Sequence, residues 1–137
     1  MKVILVDDEV VANESLALMM NEFLPEIDIV GTARSASEAR RLISINNPDL
    51  IFLDIQMPGE DGFDLLRSLS KIDFQIIFVT AYNQYAIQAF KFSAIDYLVK
   101  PVKITDLLDS VKRARALIER REASDYRMLL ENIQSKK

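Results

Sequence analysis

Short apolar runs that alternate with segments of helical periodicity constrain this chain more than any other feature. Val3-Ile4-Leu5-Val6, which is β-branched and brief, and the continuous apolar runs Leu50-Ile51-Phe52-Leu53 and Ile76-Ile77-Phe78-Val79 read as strands buried on both faces. Ile27 to Thr32 and Tyr97-Leu98-Val99 supply two more strands. Val10 to Phe23 puts Ala12, Leu16, Met19, Met20 and Phe23 on one helical face, and Pro25 closes it. Ser35-Ala36-Ser37-Glu38 has capping-box spacing and opens a helix that buries Ala39, Leu42 and Ile43, before Asn46-Asn47-Pro48 breaks it. Further helices carry Leu65, Leu66 and Leu69; then Ala86, Ala89 and Phe90; then Leu107, Leu108, Val111, Ala114 and Ile118. Strands apolar on both faces, each followed by a helix, predict an α/β fold with a parallel sheet covered on both sides.

Composition narrows the chemistry. The 137 residues suffice for one domain, and 17 basic against 21 acidic side chains give a net charge of −4. This segment therefore lacks the basic balance expected of a chain that grips nucleic acid itself. With no cysteine and no histidine, thiolate nucleophiles, Ser-His catalysis, phosphohistidine and His- or Cys-bound zinc are all excluded. No apolar stretch approaches the ~20 residues of a membrane-spanning helix, and no secretory leader precedes the first strand. The expected setting is cytoplasmic.

In an open parallel sheet, ligands bind beyond the carboxyl ends of the strands. Asp7 and Asp8 follow the first strand, Asp54 the third, Thr80 ends the fourth and Lys100 the fifth. Each has an ordinary reading when taken alone: a turn or cap for Asp7, an N-cap for Thr80, a solvated loop cation for Lys100, a core aromatic for Tyr97. The set at four strand ends has no such reading. Three converging carboxylates repel one another unless compensated, and magnesium, which takes hard oxygen ligands, would compensate them. A carboxylate beside such a metal suits phosphoryl transfer, with Asp54 as nucleophile and Lys100 and Thr80 reaching the phosphoryl oxygens.

Val6-Asp7-Asp8-Glu9, Leu53-Asp54-Ile55-Gln56-Met57-Pro58-Gly59, Gly62, Val79-Thr80-Ala81 and Asp96-Tyr97-Leu98-Val99-Lys100-Pro101 resemble, in this order, the receiver domains of two-component response regulators. The resemblance covers residues 2 to 121. It implies a single doubly wound, flavodoxin-like sheet of five parallel strands in the order 2-1-3-4-5. It implies Asp54 as the phosphoacceptor, with magnesium held by Asp7, Asp8, Asp54 and the Gln56 backbone carbonyl. Thr80 and Lys100 would bind the phosphoryl group, Tyr97 would be the aromatic switch, and Lys100–Pro101 would be cis. Gln56 and Tyr82 would tune hydrolysis of the aspartyl phosphate. The implied function is a phosphorylation-dependent signalling switch, without enzymatic activity beyond self-phosphorylation and slow autodephosphorylation. Its partner would be a sensor histidine kinase, and phosphorylation would favour a homodimer.

The segment Ala81 to Phe90 resembles the subgroup whose output is a LytTR-type DNA-binding domain regulating transcription. One departure is Ser93, which occupies the place before Ala94 where the family usually has glycine. Residues 1–121 then form the receiver domain and 122–137 a helical linker toward a C-terminal output domain, with Tyr126, Leu129, Leu130 and Ile133 at helical spacing. The rival reading of that stripe is a coiled dimerisation helix, against which the heptad breaks at Asp125. Competing functions are a phosphorylation-independent interaction module on the same fold and a dehalogenase-like phosphatase. The phosphatase requires an acid two residues after Asp54, where Gln56 stands. A flavodoxin-like nucleotide binder would need a phosphate loop in place of Asp7-Asp8-Glu9.

Overall fold

The structure, a computed structural model, describes residues 1–135. Its elements are β1 (Lys2–Val6), α1 (Val10–Phe23), β2 (Asp28–Ala33), α2 (Ala36–Asn46), β3 (Leu50–Leu53), α3 (Gly62–Ser68), β4 (Gln75–Thr80), α4 (Ala86–Phe90), β5 (Asp96–Val99) and α5 (Ile104–Ser135). The strands form one parallel sheet in the order β2-β1-β3-β4-β5, the expected doubly wound topology.

Strand alternation explains why the central strands are apolar throughout. Ile4, Val6, Ile51, Leu53, Ile76 and Phe78 face one core with Ala36 and Ala39 of α2, Phe63, Leu65 and Leu66 of α3, and Ala89 of α4. Val3, Leu5, Leu50, Phe52, Ile77 and Val79 face the other, against Leu16 and Met20 of α1 and Leu107, Val111 and Ala114 of α5. Each fully buried Leu, Ile or Phe contributes about 1.5–3 kcal/mol relative to an exposed position.

The helix ends follow local chemistry. Ser35 Oγ accepts from the Glu38 N–H at 3.1 Å, which is half of the expected box. The reciprocal box forms at α3, where Asp61 and Asp64 each accept from the other's N–H, at 2.8 and 3.0 Å. Asn47 ends α2 in the left-handed region at φ 46, and Ser93 lies there too at φ 59. Ser93 thus adopts the conformation for which glycine is favoured, at a cost of about 1–2 kcal/mol.

Two expectations of facing fail, and one buried polar residue was not foreseen. Phe23 is 49% and Phe90 65% exposed, while Asn13 is buried on α1. Asn13 belongs inside because its Nδ2 donates to the carbonyls of Asp7 (3.1 Å) and Ala33 (3.2 Å), tying α1 to the ends of β1 and β2. Phe90 points outward because α4 is a short helix that buries only Ala89. The polar stretch Glu119 to Asp125 does not interrupt the last helix: α5 runs through it unbroken, with no buried described residue after Ala114. Lys136 and Lys137 of the expected linker lie outside the described residues.

Candidate functional site

The carboxyl ends of β1, β3, β4 and β5 gather the expected polar residues at one edge of the sheet. The ladder continues past the strands and fixes their backbones: Asp7 N–H donates to the Ala33 carbonyl at 3.0 Å, Asp54 N–H to Val6 at 2.9 Å and Lys100 N–H to Thr80 at 2.9 Å. Asp7 Oδ1 accepts from the Glu9 N–H at 2.9 Å, which orients its other oxygen inward. Behind Asp54, Gly62 opens α3 so close that a Cβ there would sit 2.5 Å from the Asp54 carbonyl oxygen.

Lys100 is the hub of the site. Its Nζ donates to Asp7 Oδ2 at 2.6 Å and to Asp54 Oδ2 at 3.1 Å. Asp7 and Asp54 are each 5% exposed, and Thr80 is wholly buried. Asp54 Oδ1 and Thr80 Oγ1 are buried without a hydrogen-bond partner. Buried polar atoms are nearly always satisfied, so two orphans side by side at a site mark a place built for something else to bind. Thr80 slightly favours the charged form of Asp54 by proximity, though the two make no hydrogen bond of normal geometry.

Charge follows from this packing. Burial, then the neighbouring Asp7 carboxylate, push the Asp54 carboxyl above the ordinary range, and Lys100 only partly offsets them. Burial would lower the Lys100 ammonium, but the Asp7 hydrogen bond and the charges of Asp54 and Asp7 outweigh it and raise it.

Asp7, Asp8 and Asp54 each offer a carboxylate oxygen, all within 4.8 Å of one another. Hard oxygen donors at that spacing, on a set that includes Asp54 with its unpartnered Oδ1, fit a divalent cation of the magnesium or calcium kind. An open pocket of about 420 Å³ leads to them, walled by Asp8, Asp54, Gln56, Tyr82 and Lys100. A more apolar recess beside Leu16 and Met19 of α1 reaches Asp7 and Lys100 from behind and presents few polar groups.

The remaining expected residues lie on the rim. The Lys100–Pro101 peptide is cis. Tyr97 on β5 is half-buried, its ring 6.3 Å from that of Phe78, and its hydroxyl donates to the Tyr82 carbonyl two residues past Thr80. Gln56 Nε2 donates to the Tyr85 hydroxyl at 2.8 Å. Asn13, Gly62 and Tyr85 were not expected at the site. Gly62 carried a signal as part of the receiver-domain motif, and Tyr85 lay within the Ala81 to Phe90 segment, but neither was given a role at the site.

A family model described as the response regulator receiver domain matches residues 3–112. This chain is a response regulator receiver domain. A response regulatory protein of Vibrio cholerae is 43% identical over 124 residues, 90% of this chain and 51% of the relative. The sensory transduction protein LytT of Bacillus anthracis is 37% identical over 82% of this chain and 46% of its own length. The positive alginate biosynthesis regulatory protein of Pseudomonas aeruginosa is 39% identical over 83% and 47%. The receiver domain thus spans about half the length of the curated relatives it matches. Among solved structures, the response regulatory domain of mrkE from Klebsiella pneumoniae superposes with a TM-score of 0.79 at 31% identity, covering 88% of this chain and 99% of that one. No helix among the described residues is long and apolar enough to cross a membrane.

Proposed function

We propose that this receiver domain is a phosphorylation-dependent switch that accepts a phosphoryl group from a sensor histidine kinase on Asp54. One observation carries the reading: Asp54 keeps a buried, unpartnered oxygen while Lys100 holds the other. In the transfer, Asp54 Oδ1 attacks phosphorus and the P–N bond to the donor imidazole breaks. The imidazole leaves with the electron pair and takes up a proton. Lys100 Nζ and the Thr80 hydroxyl then donate to the phosphoryl oxygens, so both orphaned atoms gain partners. Asp7, Asp8 and Asp54, with the Gln56 backbone carbonyl, would hold magnesium, which supplies neutralisation of the negative charge on the transferring group.

Movement of Thr80 toward the phosphoryl group frees space beside Phe78. Tyr97, tethered to the same loop, carries that change to the face of α4, β5 and α5 and favours a homodimer there. Residues 1–121 act as the receiver domain and 122–137 as a helical linker to a C-terminal output domain in the cytoplasm. A LytTR-type DNA-binding output that regulates transcription is supported by the relative named LytT and by the alginate regulator. The domain turns over no separate substrate; its chemistry is its own phosphorylation and slow autodephosphorylation. Against a phosphatase stands Gln56, which is no acid and whose amide is engaged by Tyr85. Intact-mass analysis with acetyl phosphate and magnesium tests the reading. One phosphoryl group should add to the wild type and none to Asp54→Asn; equal labelling of both overturns it.

A further inference from the structure

The pocket over Asp54 has two walls that belong to different loops. One follows β3 and carries Gln56; the other follows β4 and carries Tyr82. They are joined by a side-chain hydrogen bond, Gln56 Nε2 to the Tyr85 hydroxyl at 2.8 Å. Tyr85 is the residue immediately before α4, and its ring is braced from two sides. Phe63 of α3 meets it edge-on at 6.2 Å between centroids, and Tyr82 at 6.3 Å. An aromatic ring held by two others loses little further freedom when its hydroxyl is used. The donor, by contrast, is an exposed glutamine that would otherwise sample many rotamers.

We propose that Tyr85 is a positioning residue whose bond to Gln56 braces the mouth of the Asp54 pocket and limits passage of both water and phosphodonor. This rests on the reading of Asp54 as the phosphoacceptor. Hydrolysis of the aspartyl phosphate needs water to reach phosphorus as the bond to the Asp54 oxygen breaks. The carboxylate is regenerated, and inorganic phosphate departs with the water's oxygen. Phosphorylation needs a small phosphodonor to reach the same carboxylate from the same side. A brace that sets the width of the mouth therefore slows both steps, whereas a residue that acts on the attacking water changes only hydrolysis.

The test uses the whole chain with magnesium and acetyl phosphate, followed by intact mass, in wild type, Tyr85→Phe, Gln56→Ala and the double variant. Tyr85→Phe keeps the ring and its packing; Gln56→Ala keeps the backbone carbonyl and alters an exposed position. Each single change should raise the labelling rate, and after donor removal the decay rate, by about threefold to tenfold, the factor that one net hydrogen bond provides. The double variant should match the larger single effect, because both changes cut the same bond. Unchanged rates, additive effects or faster decay without faster labelling would each overturn the brace. Asp54→Asn separates the two claims. If it labels as the wild type does, the phosphoacceptor reading fails; if labelling depends on Asp54 but the rates do not move, only the brace fails.

Discussion

Lys100 Nζ stands closer to Asp7, at 2.6 Å, than to Asp54, at 3.1 Å, so the cation beside the proposed phosphoacceptor is anchored mainly on its neighbour. Asp7 and Lys100 leave the sheet on opposite sides of β3, and their contact spans the site. This pair holds Lys100 in place whether or not Asp54 bears a charge. Lys100→Ala should therefore cost about 1–3 kcal/mol at neutral pH, because it leaves two buried carboxylates facing each other. The folded ammonium is raised, so its contribution is fully present below the ordinary lysine value and lost only as pH rises through the folded one. Thermal melts with a chelator should show the loss, and magnesium should restore part of it; a wild-type melting temperature in the chelator would refute the assignment.

Asp54 itself should be a stability liability without metal. Its folded carboxyl is raised, so protonation is favoured on folding, and that stabilisation is present in acid and disappears as pH rises through the folded value. At neutral pH the ionised group is costly, and Asp54→Asn should melt a few degrees higher than wild type in a chelator. The gap should close toward acid pH. A variant that melts lower at neutral pH would contradict this.

Asp8→Ala should weaken magnesium binding at least tenfold, because few protein ligands share the ion. Asp106→Ala should leave it within a factor of about two, since Asp106 lies in the first turn of α5, outside the acid cluster. Tyrosine fluorescence can follow the titration, as Tyr82 walls the pocket. Equal affinities in the two variants would remove Asp8 from the ligand set.

Gly62→Ala should destabilise the fold by about 1–3 kcal/mol through overpacking. The new methyl would meet the Asp54 carbonyl oxygen at 2.5 Å and the Ile55 Cα at 3.2 Å, both backbone atoms that cannot swing aside. Gly59→Ala makes a useful contrast. It faces open space at φ +79, so only conformational strain of about 1 kcal/mol is expected. Denaturant titrations of the two variants should rank them in that order; the reverse order would refute the packing argument.

Beryllofluoride should mimic the phosphoryl group and shift the domain toward a dimer through exposed Ile87, Phe90 and Val99 on the face of α4, β5 and α5. Sedimentation with and without residues 122 to 137 separates this face from the stripe at Leu129 and Ile133. Association of only the longer form would assign the contact to the tail.

The central strands were legible because burial on both faces leaves an uninterrupted apolar run, and the candidate site was legible because polar residues stand at the ends of three such strands and of the edge strand β5. What stayed hidden depends on partners that periodicity does not encode. Asn13 drew no reading from the sequence, because its place depends on two carbonyls from different strands that converge on it. Phe90 reads as core until α4 proves too short to cover it. Tyr85 gains its place from a glutamine in another loop.

The last helix keeps its final buried anchor at Ala114, and 21 further described residues extend beyond it to Ser135. At 1.5 Å per residue that is a lever arm of about 31 Å. Beyond Arg115, which pairs with Glu26 at its base, it is tethered by Arg121, whose guanidinium grips the Asp73 carbonyl at 2.9 Å in the loop that leads into β4, the strand that ends in Thr80. A tilt of about 5° at the anchor sweeps the tip through nearly 3 Å by simple geometry, about two residues' rise along a helix. Motion too slight to disturb the core becomes, at the far end, a displacement of the size of a side-chain contact.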